Sequence, residues 1–240
     1  MDERGGESGE YYSTEDTPDT IQQLMSENET YPVTLCGGEF KVCPGVFSPK
    51  YFGDTEYYAQ AIPKQFDDLS GINFLEIGPG AGILPVLMAE KGAHVTGIDI
   101  NKKAVNNSII NVVEHGVQAN VRILYGDIYS PLTADEKFDV VYWNLPFGYT
   151  EGKELSDIEK ACFDNEYQAT AEFFRGAREH LSPDGRIMYG FSTTYGNNEA
   201  LGRILEDCGL ESKLISVMET EAQGKPVKYE LFEAVPKGEK

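Results

Sequence analysis

Residues 74–82 read Phe74-Leu75-Glu76-Ile77-Gly78-Pro79-Gly80-Ala81-Gly82, a strand-forming run that breaks into three alternate glycines and then enters the apolar stretch Ile83 to Ala89. Glycine lets a chain turn sharply and lets backbone N–H groups come close to a ligand, and a helix starting just after such a turn aims its unpaired N–H groups at the same point. The segment therefore predicts a strand, a ligand-binding turn and a helix in immediate succession. Beyond Gly71 the pattern repeats. Strand-type runs occupy Asn73 to Ile77, His94 to Ile100, Val121 to Tyr125, Phe138 to Asn144 and Arg186 to Ser192, separated by helical stretches at Ile83 to Lys91, Lys102 to His115 and Glu166 to Leu181. The strand runs are apolar on both faces, as a parallel sheet covered by helices requires. Asn197 to Cys208 reads as a helix with an asparagine cap and Gly209 as its stop. Closing strands Lys213 to Thr220 and Val227 to Val235 are joined by a turn containing Gly224 and Pro226. The predicted fold is α/β, a doubly wound seven-stranded sheet of five parallel strands plus an antiparallel closing pair.

The 70 residues before this domain divide in two. Residues 1–30 hold nine acids against one base, Arg4, among Ser, Thr and Gly. High charge with low hydrophobicity predicts a disordered leader at least to about Thr20, with Ile21 to Met25 able to form a short helix. Residues 31–70 read as a hairpin, Tyr31 to Leu35 and Glu39 to Val42 split by Gly37-Gly38, and an amphipathic helix from Thr55 to Phe66 that Thr55 or Asp54 could cap.

Charge and cysteine usage narrow the function. The chain of 240 residues carries 40 acidic and 20 basic side chains, a formal charge of −20. Such a surface repels phosphate and forfeits the counterion release behind most nucleic-acid binding, so long DNA or RNA is disfavoured. Cys36, Cys43, Cys162 and Cys208 form no close pair, and His94, His115 and His180 lack ligand spacing, so no metal site and no disulfide framework is expected. The stretch Ile83 to Ala89 is far short of the roughly 20 residues that span a bilayer, and the N-terminus lacks signal-peptide character; a cytoplasmic protein is the expectation.

The chemistry gathers at the ends of the predicted strands. Asp99 ends the second strand 19 residues after Gly80, where a carboxylate can accept hydrogen bonds from two vicinal ribose hydroxyls. The third strand ends Gly126-Asp127-Ile128 and the fourth runs into Asn144-Leu145-Pro146-Phe147. The spacing Glu76-x-Gly78-x-Gly80-x-Gly82 resembles motif I of the class I methyltransferases, which use S-adenosylmethionine. A dinucleotide fingerprint would put Gly or Ala where this chain has Ile83, which weakens a nicotinamide oxidoreductase reading.

The resemblance implies a Rossmann-like domain with S-adenosyl-L-methionine held by Glu76, Gly78, Pro79, Gly80, Gly82, Asp99, Ile100, Asp127, Ile128 and Asn144. In it, Asp127 faces the adenine amino group and Ile128 the ring. Asn144 to Phe147 resembles the Asn/Asp-Pro-Pro-aromatic motif of methyltransferases acting on a planar nitrogen, with Leu145 at the usual first proline. There Asn144 and the Leu145 carbonyl each accept a hydrogen bond from an amide or exocyclic NH2, Pro146 fixes the loop and Phe147 stacks on the flat group. The segment from Val46 to Pro49 with Asp54-Thr55-Glu56 resembles the stretch before motif I in the group that includes release-factor glutamine and rRNA guanine enzymes, two residues longer than in the glutamine enzymes and without the arginine those carry.

In-line transfer of a methyl group to nitrogen then rests on positioning and exclusion of water, with no metal and no dedicated base. Acidity favours a protein or small-molecule acceptor. An RNA or DNA base methyltransferase and a nucleotide-binding module without turnover are the alternatives, and the intact Asn144 to Phe147 loop argues against the second. Phe47, Tyr51, Tyr149 and Tyr195 are candidates for shaping the acceptor pocket, and the charged segment Gly148 to Asn165 is expected to close over it.

Overall fold

The computed structural model describes residues 19–222 and 225–238. Most of the leader, and Gly224 of the closing turn, lie outside the described residues. The leader's last part is helical, α1 (Asp19–Ser26), with Ile21 and Leu24 buried. Strands β1 (Tyr31–Leu35) and β2 (Gly38–Val42) form the antiparallel hairpin. Its turn is centred on Cys36 and Gly37, both at positive φ (51° and 82°), and not on Gly37-Gly38. Two left-handed residues in succession give the turn twist that matches paired strands.

Helix α2 (Asp54–Ala61) is shorter than the expected Thr55 to Phe66. After Ile62 the chain tightens into one 3-10 turn, Pro63–Gln65, because Pro63 has no N–H for the helical ladder. Neither Asp54 nor Thr55 caps this helix; Gly53 occupies the cap without a side-chain bond, and the Asp54 carboxylate points elsewhere.

The main sheet comprises β3 (Asn73–Ile77), β4 (His94–Asp99), β5 (Val121–Tyr125), β6 (Phe138–Asn144), β9 (Leu181–Phe191), β10 (Leu210–Ala222) and β11 (Lys225–Pro236). Its order is β5-β4-β3-β6-β9-β11-β10. β3, β4, β5, β6 and β9 are mutually parallel, and β11 runs opposite between β9 and β10. The closing strands are longer than predicted, and Pro226 lies within β11. The order reverses between β3 and β6, so a crevice opens at their carboxyl ends, the usual ligand position in such sheets.

Alternation along β3 assigns its faces. Phe74 packs with Tyr142 and Met188 under α2 and α3 (Ile83–Glu90), whereas Leu75 and Ile77 pack with Val141, Phe173 and Leu201 under α5 (Gln168–Ala177) and α6 (Asn198–Asp207). Helix α5 starts two residues later than expected, because Glu166 and Tyr167 are left-handed (φ 51° each) and Asp164 instead accepts from the backbone N–H of Ala169 and Thr170. Asn197 caps α6 as predicted, accepting from Ala200 N at 3.1 Å.

Helix α4 (Lys102–Glu114) ties the hairpin to the domain. Asn111 exchanges two 2.8 Å hydrogen bonds with the backbone of Lys41, and Asn107 accepts from Cys43 N at 2.7 Å while donating to Lys41 O at 2.8 Å. Two buried asparagines thus supply the ladder partners that β2 would take from a third strand. Among the described residues no helix is long and apolar enough to cross a membrane, and no cluster of His, Cys, Asp and Glu could hold a metal ion.

Candidate active site

The turn after β3 is held by hydrogen bonds from two sides. Gly78, Gly80 and Gly82 all have positive φ (65°, 58° and 79°). Gly78 N donates to Ile98 O at 2.8 Å and Gly80 N to Asp99 Oδ2 at 3.1 Å, so the turn hangs from the end of β4. From the other side Ser108 Oγ donates to Gly80 O at 2.9 Å and Asn111 Nδ2 to Ala81 O at 2.7 Å. The glycines serve different ends. Gly78 and Gly80 line a cavity of about 920 Å³, whereas Gly82 does not; it caps α3 where a Cβ would lie 2.8 Å from the Ser108 Cα. Its close approach to Ser108 gives it a packing role in the same turn.

Asp99, 8% exposed, accepts from Asn101 N at 2.8 Å as well as from Gly80. Burial pushes its pKa up to about 6 against the pull of those two hydrogen bonds, and the Asp157 carboxylate adds to the rise. Glu76, 6% exposed, is pushed well above the usual carboxylate range by burial and then by Asp99. Pro79, Ile100, Asp127 and Ile128 line the same cavity, with Ile128 buried at a φ of 43° and Asp127 exposed.

The loop after β6 lines the same cavity, beside the glycine turn. Leu145 N donates to Gly190 O at 3.1 Å, continuing the β6–β9 ladder, and Tyr167 OH donates to Phe147 O at 2.6 Å while accepting from Asn197 N. Phe147 packs edge-on against Phe191, centroids 5.9 Å apart. Asn144 Nδ2 donates to Asp54 Oδ2 at 2.8 Å. Asn144, Pro146 and Phe147 all line the cavity, as do Phe47, Tyr51 and Tyr195; Tyr149 does not, and stacks edge-on against Tyr167 instead.

Beyond this loop, β7 (Gly148–Thr150) pairs in parallel with β8 (Phe163–Asn165), a ladder the charged sequence did not suggest. The chain between them folds over the cavity, where Lys153, Asp157 and Ile158 form part of the wall. Asp157 lines the cavity together with Asp99 at the β4 end and Asn144 at the β6 end. Ile21 of α1 also lines the cavity, and Glu27 just after that helix binds Lys50 at 2.7 Å and Tyr51.

Among the described residues, the buried side-chain polar atoms without a partner are Asp54 Oδ1, Glu76 Oε2, Tyr142 OH, Asn144 Oδ1 and Ser192 Oγ. The first four belong to residues of this one cavity. A buried orphan costs about 1–3 kcal/mol, so four around one space mark a surface shaped for a polar ligand.

A model of the methyltransferase small domain matches residues 37–214. The chain belongs to that family. A release factor glutamine methyltransferase of Fusobacterium nucleatum is 27% identical over 198 residues, covering 78% of this chain and 53% of the relative. A ribosomal protein uL3 glutamine methyltransferase of Bradyrhizobium diazoefficiens is 32% identical over 124 residues, 48% of this chain and 39% of that one. The chain thus spans about half the length, or less, of these relatives. Among solved structures, a T. thermophilus 16S rRNA N2 methyltransferase in complex with AdoMet and guanosine superposes with a TM-score of 0.61 at 19% identity, over 87% of this chain and 50% of that one. That likeness concerns the fold alone.

Within this family member, sequence reading overlooked Asp54, Tyr142 and Gly190. Asp54 sat in a segment singled out for its resemblance, yet nothing in Gly53-Asp54-Thr55 distinguishes a buried carboxylate from a helix cap. Gly190 read as one more strand residue, although a Cβ there would lie 2.7 Å from Asn144 Oδ1 and 2.6 Å from the Tyr58 ring.

Proposed function

We propose that this protein is an S-adenosylmethionine-dependent methyltransferase whose acceptor is the side-chain amide nitrogen of a protein glutamine. The observation that carries the reading is that the Asn144–Phe147 loop and the glycine turn line one cavity, with unpaired buried acceptors on its wall. The two glutamine-modifying relatives support the choice of acceptor, as does the formal charge of −20 against a polyanionic one.

The cavity fits the cofactor by its donor set. Asp99 offers two carboxylate oxygens to ribose hydroxyls, and Asp127 with Ile128 would border the adenine. The orphan oxygen of Glu76 suits a cationic group, whose approach favours the ionised carboxylate. When bound, S-adenosylmethionine supplies an electrophilic methyl group on a sulfonium. The protein's own part is to hold the acceptor nitrogen. Asn144 Oδ1 accepts one of its N–H groups, Pro146 keeps the loop rigid, Phe147 packs on the planar amide, and the segment between β7 and β8 excludes water.

Calorimetry is expected to show micromolar binding of S-adenosylmethionine and S-adenosylhomocysteine and none of NAD, and labelled methyl to appear on a glutamine peptide. Binding of NAD alone would refute the cofactor, and label entering only RNA guanine would refute the acceptor. Replacing Asp99 by alanine should weaken cofactor binding by more than about tenfold, roughly 1.4 kcal/mol. Affinity should also depend on pH. Hydroxyls donate to the ionised carboxylate, so wild-type affinity rises as pH climbs through about 6, where Asp99 loses its proton, and levels above it. That step should be missing from the Asp99→Ala titration, and its persistence there would assign it to another group.

A further inference from the structure

We propose that Asp54 is a further acceptor-binding residue: its Oδ2 holds the Asn144 amide while its Oδ1 accepts an N–H of the acceptor's NH2 group and takes up the proton that methylation releases. The inference rests on the reading of Asn144 as an acceptor-binding residue. Asp54, the first residue of α2, is 2% exposed, and it sits on the cavity wall with one oxygen bonded to Asn144 Nδ2 at 2.8 Å and the other without a side-chain partner. A carboxylate only accepts, so it selects which end of the Asn144 amide faces it. The amide nitrogen turns to Asp54 and the amide oxygen turns away, into room that exists because residue 190 is glycine.

A primary amide or exocyclic amine brings two N–H groups, and the paired residues present two buried oxygens that no side chain binds, Asp54 Oδ1 and Asn144 Oδ1. Of these only Asp54 can also accept a proton. As the nitrogen lone pair forms the N–CH3 bond, the electrons of the broken C–S bond stay on sulfur and one N–H proton must leave. Asp54 passes from carboxylate to carboxylic acid and gives the proton to water once product departs. Burial raises its affinity for that proton above the usual aspartate value, against the pull of the Asn144 hydrogen bond. The titratable groups that face it are Tyr58 from the same helix, Tyr142 from β6 and Cys162 ahead of β8, all pushed up by burial and so neutral across about pH 5 to 9.

The test compares wild type with Asp54→Asn at saturating S-adenosylmethionine, using a glutamine peptide and a guanosine-bearing RNA as acceptors. The variant should lose at least about tenfold in kcat on whichever acceptor the wild type methylates, hold S-adenosylhomocysteine with unchanged affinity, and lack the acid limb of the wild-type pH profile. In wild type the Asn144 side-chain amide resonances should shift with pH as Asp54 titrates, a readout that needs neither variant nor acceptor. Methylation of RNA alone, with the same loss in the variant, would overturn the glutamine reading and leave Asp54 in its role. Turnover within twofold of wild type, cofactor affinity falling in step with turnover, or an Asn144 amide indifferent to pH would each overturn the role itself.

Discussion

Replacing Gly82 by alanine is expected to destabilise the protein by about 3 kcal/mol, from roughly 1–2 for a side chain in the left-handed region and 1–3 for overpacking. Gly82 has a φ of 79°, and a Cβ there would lie 2.8 Å from the Cα of Ser108 and 2.9 Å from its Cβ and Oγ. Because one of those atoms is backbone, trimming Ser108 cannot relieve the collision; α3 and α4 would have to separate. Ser108 also donates to Gly80 O, so separation would slacken the glycine turn. Thermal unfolding should drop by about 6–12 °C, at 2–4 °C per kcal/mol for a domain of this size. Gly71→Ala is the control, since Gly71 shares the backbone conformation (φ 76°) with nothing within 4 Å of an added Cβ. It should show only the conformational cost. Equal melting shifts in the two variants would mean that the close approach of α3 and α4 contributes nothing.

The contrast between these glycines shows where sequence reading stops. Gly82 was legible as a turn residue, because the loss of strand character before it and the helix that follows are local properties. Which of them touches another element depends on α4, some 26 residues further on. The same boundary runs through the rest of the molecule. The sheet was readable because strands buried on both faces must be apolar throughout, and β3, β5 and β6 fall at the predicted residues. The asparagines of α4 were not readable as partners for β2, since Asn107 and Asn111 look like ordinary polar positions until the hairpin packs beside them. Likewise the left-handed Glu166-Tyr167 pair carries no glycine to announce it. At the site, the loop Asn144 to Phe147 was visible as a motif, and its departure at Leu145 now has a physical counterpart. The Leu145 N–H is bonded to Gly190 O, a hydrogen bond that proline could not make. Asp54 was hidden for the opposite reason, as its significance lies in a side chain 90 residues away.

Asn144→Ala should lower kcat by about a hundredfold or more, about 2.7 kcal/mol by analogy with losing one hydrogen-bonding group aimed at a reacting centre, while cofactor affinity stays near wild type. The separation is expected because the groups proposed to hold the cofactor, Asp99 and the glycine turn, bond to one another and not to Asn144. Truncation has a second consequence. It removes the donor on Asp54 Oδ2, leaving that buried carboxylate with neither oxygen bonded to a side chain, so its pKa should climb further. Stability of the variant should then depend on pH with a definite sign. A folded-state pKa raised above the unfolded value means that the folded form binds the extra proton, so the variant is least impaired below the unfolded pKa and loses stability as pH rises toward the folded one. Thermal melts from about pH 4 to 8 would therefore separate the two effects, the structural loss growing with pH and the catalytic loss persisting where the melts coincide. Full turnover in the alanine variant would remove Asn144 from the acceptor site, and a parallel collapse in S-adenosylhomocysteine binding would move it to the cofactor's side of the cavity.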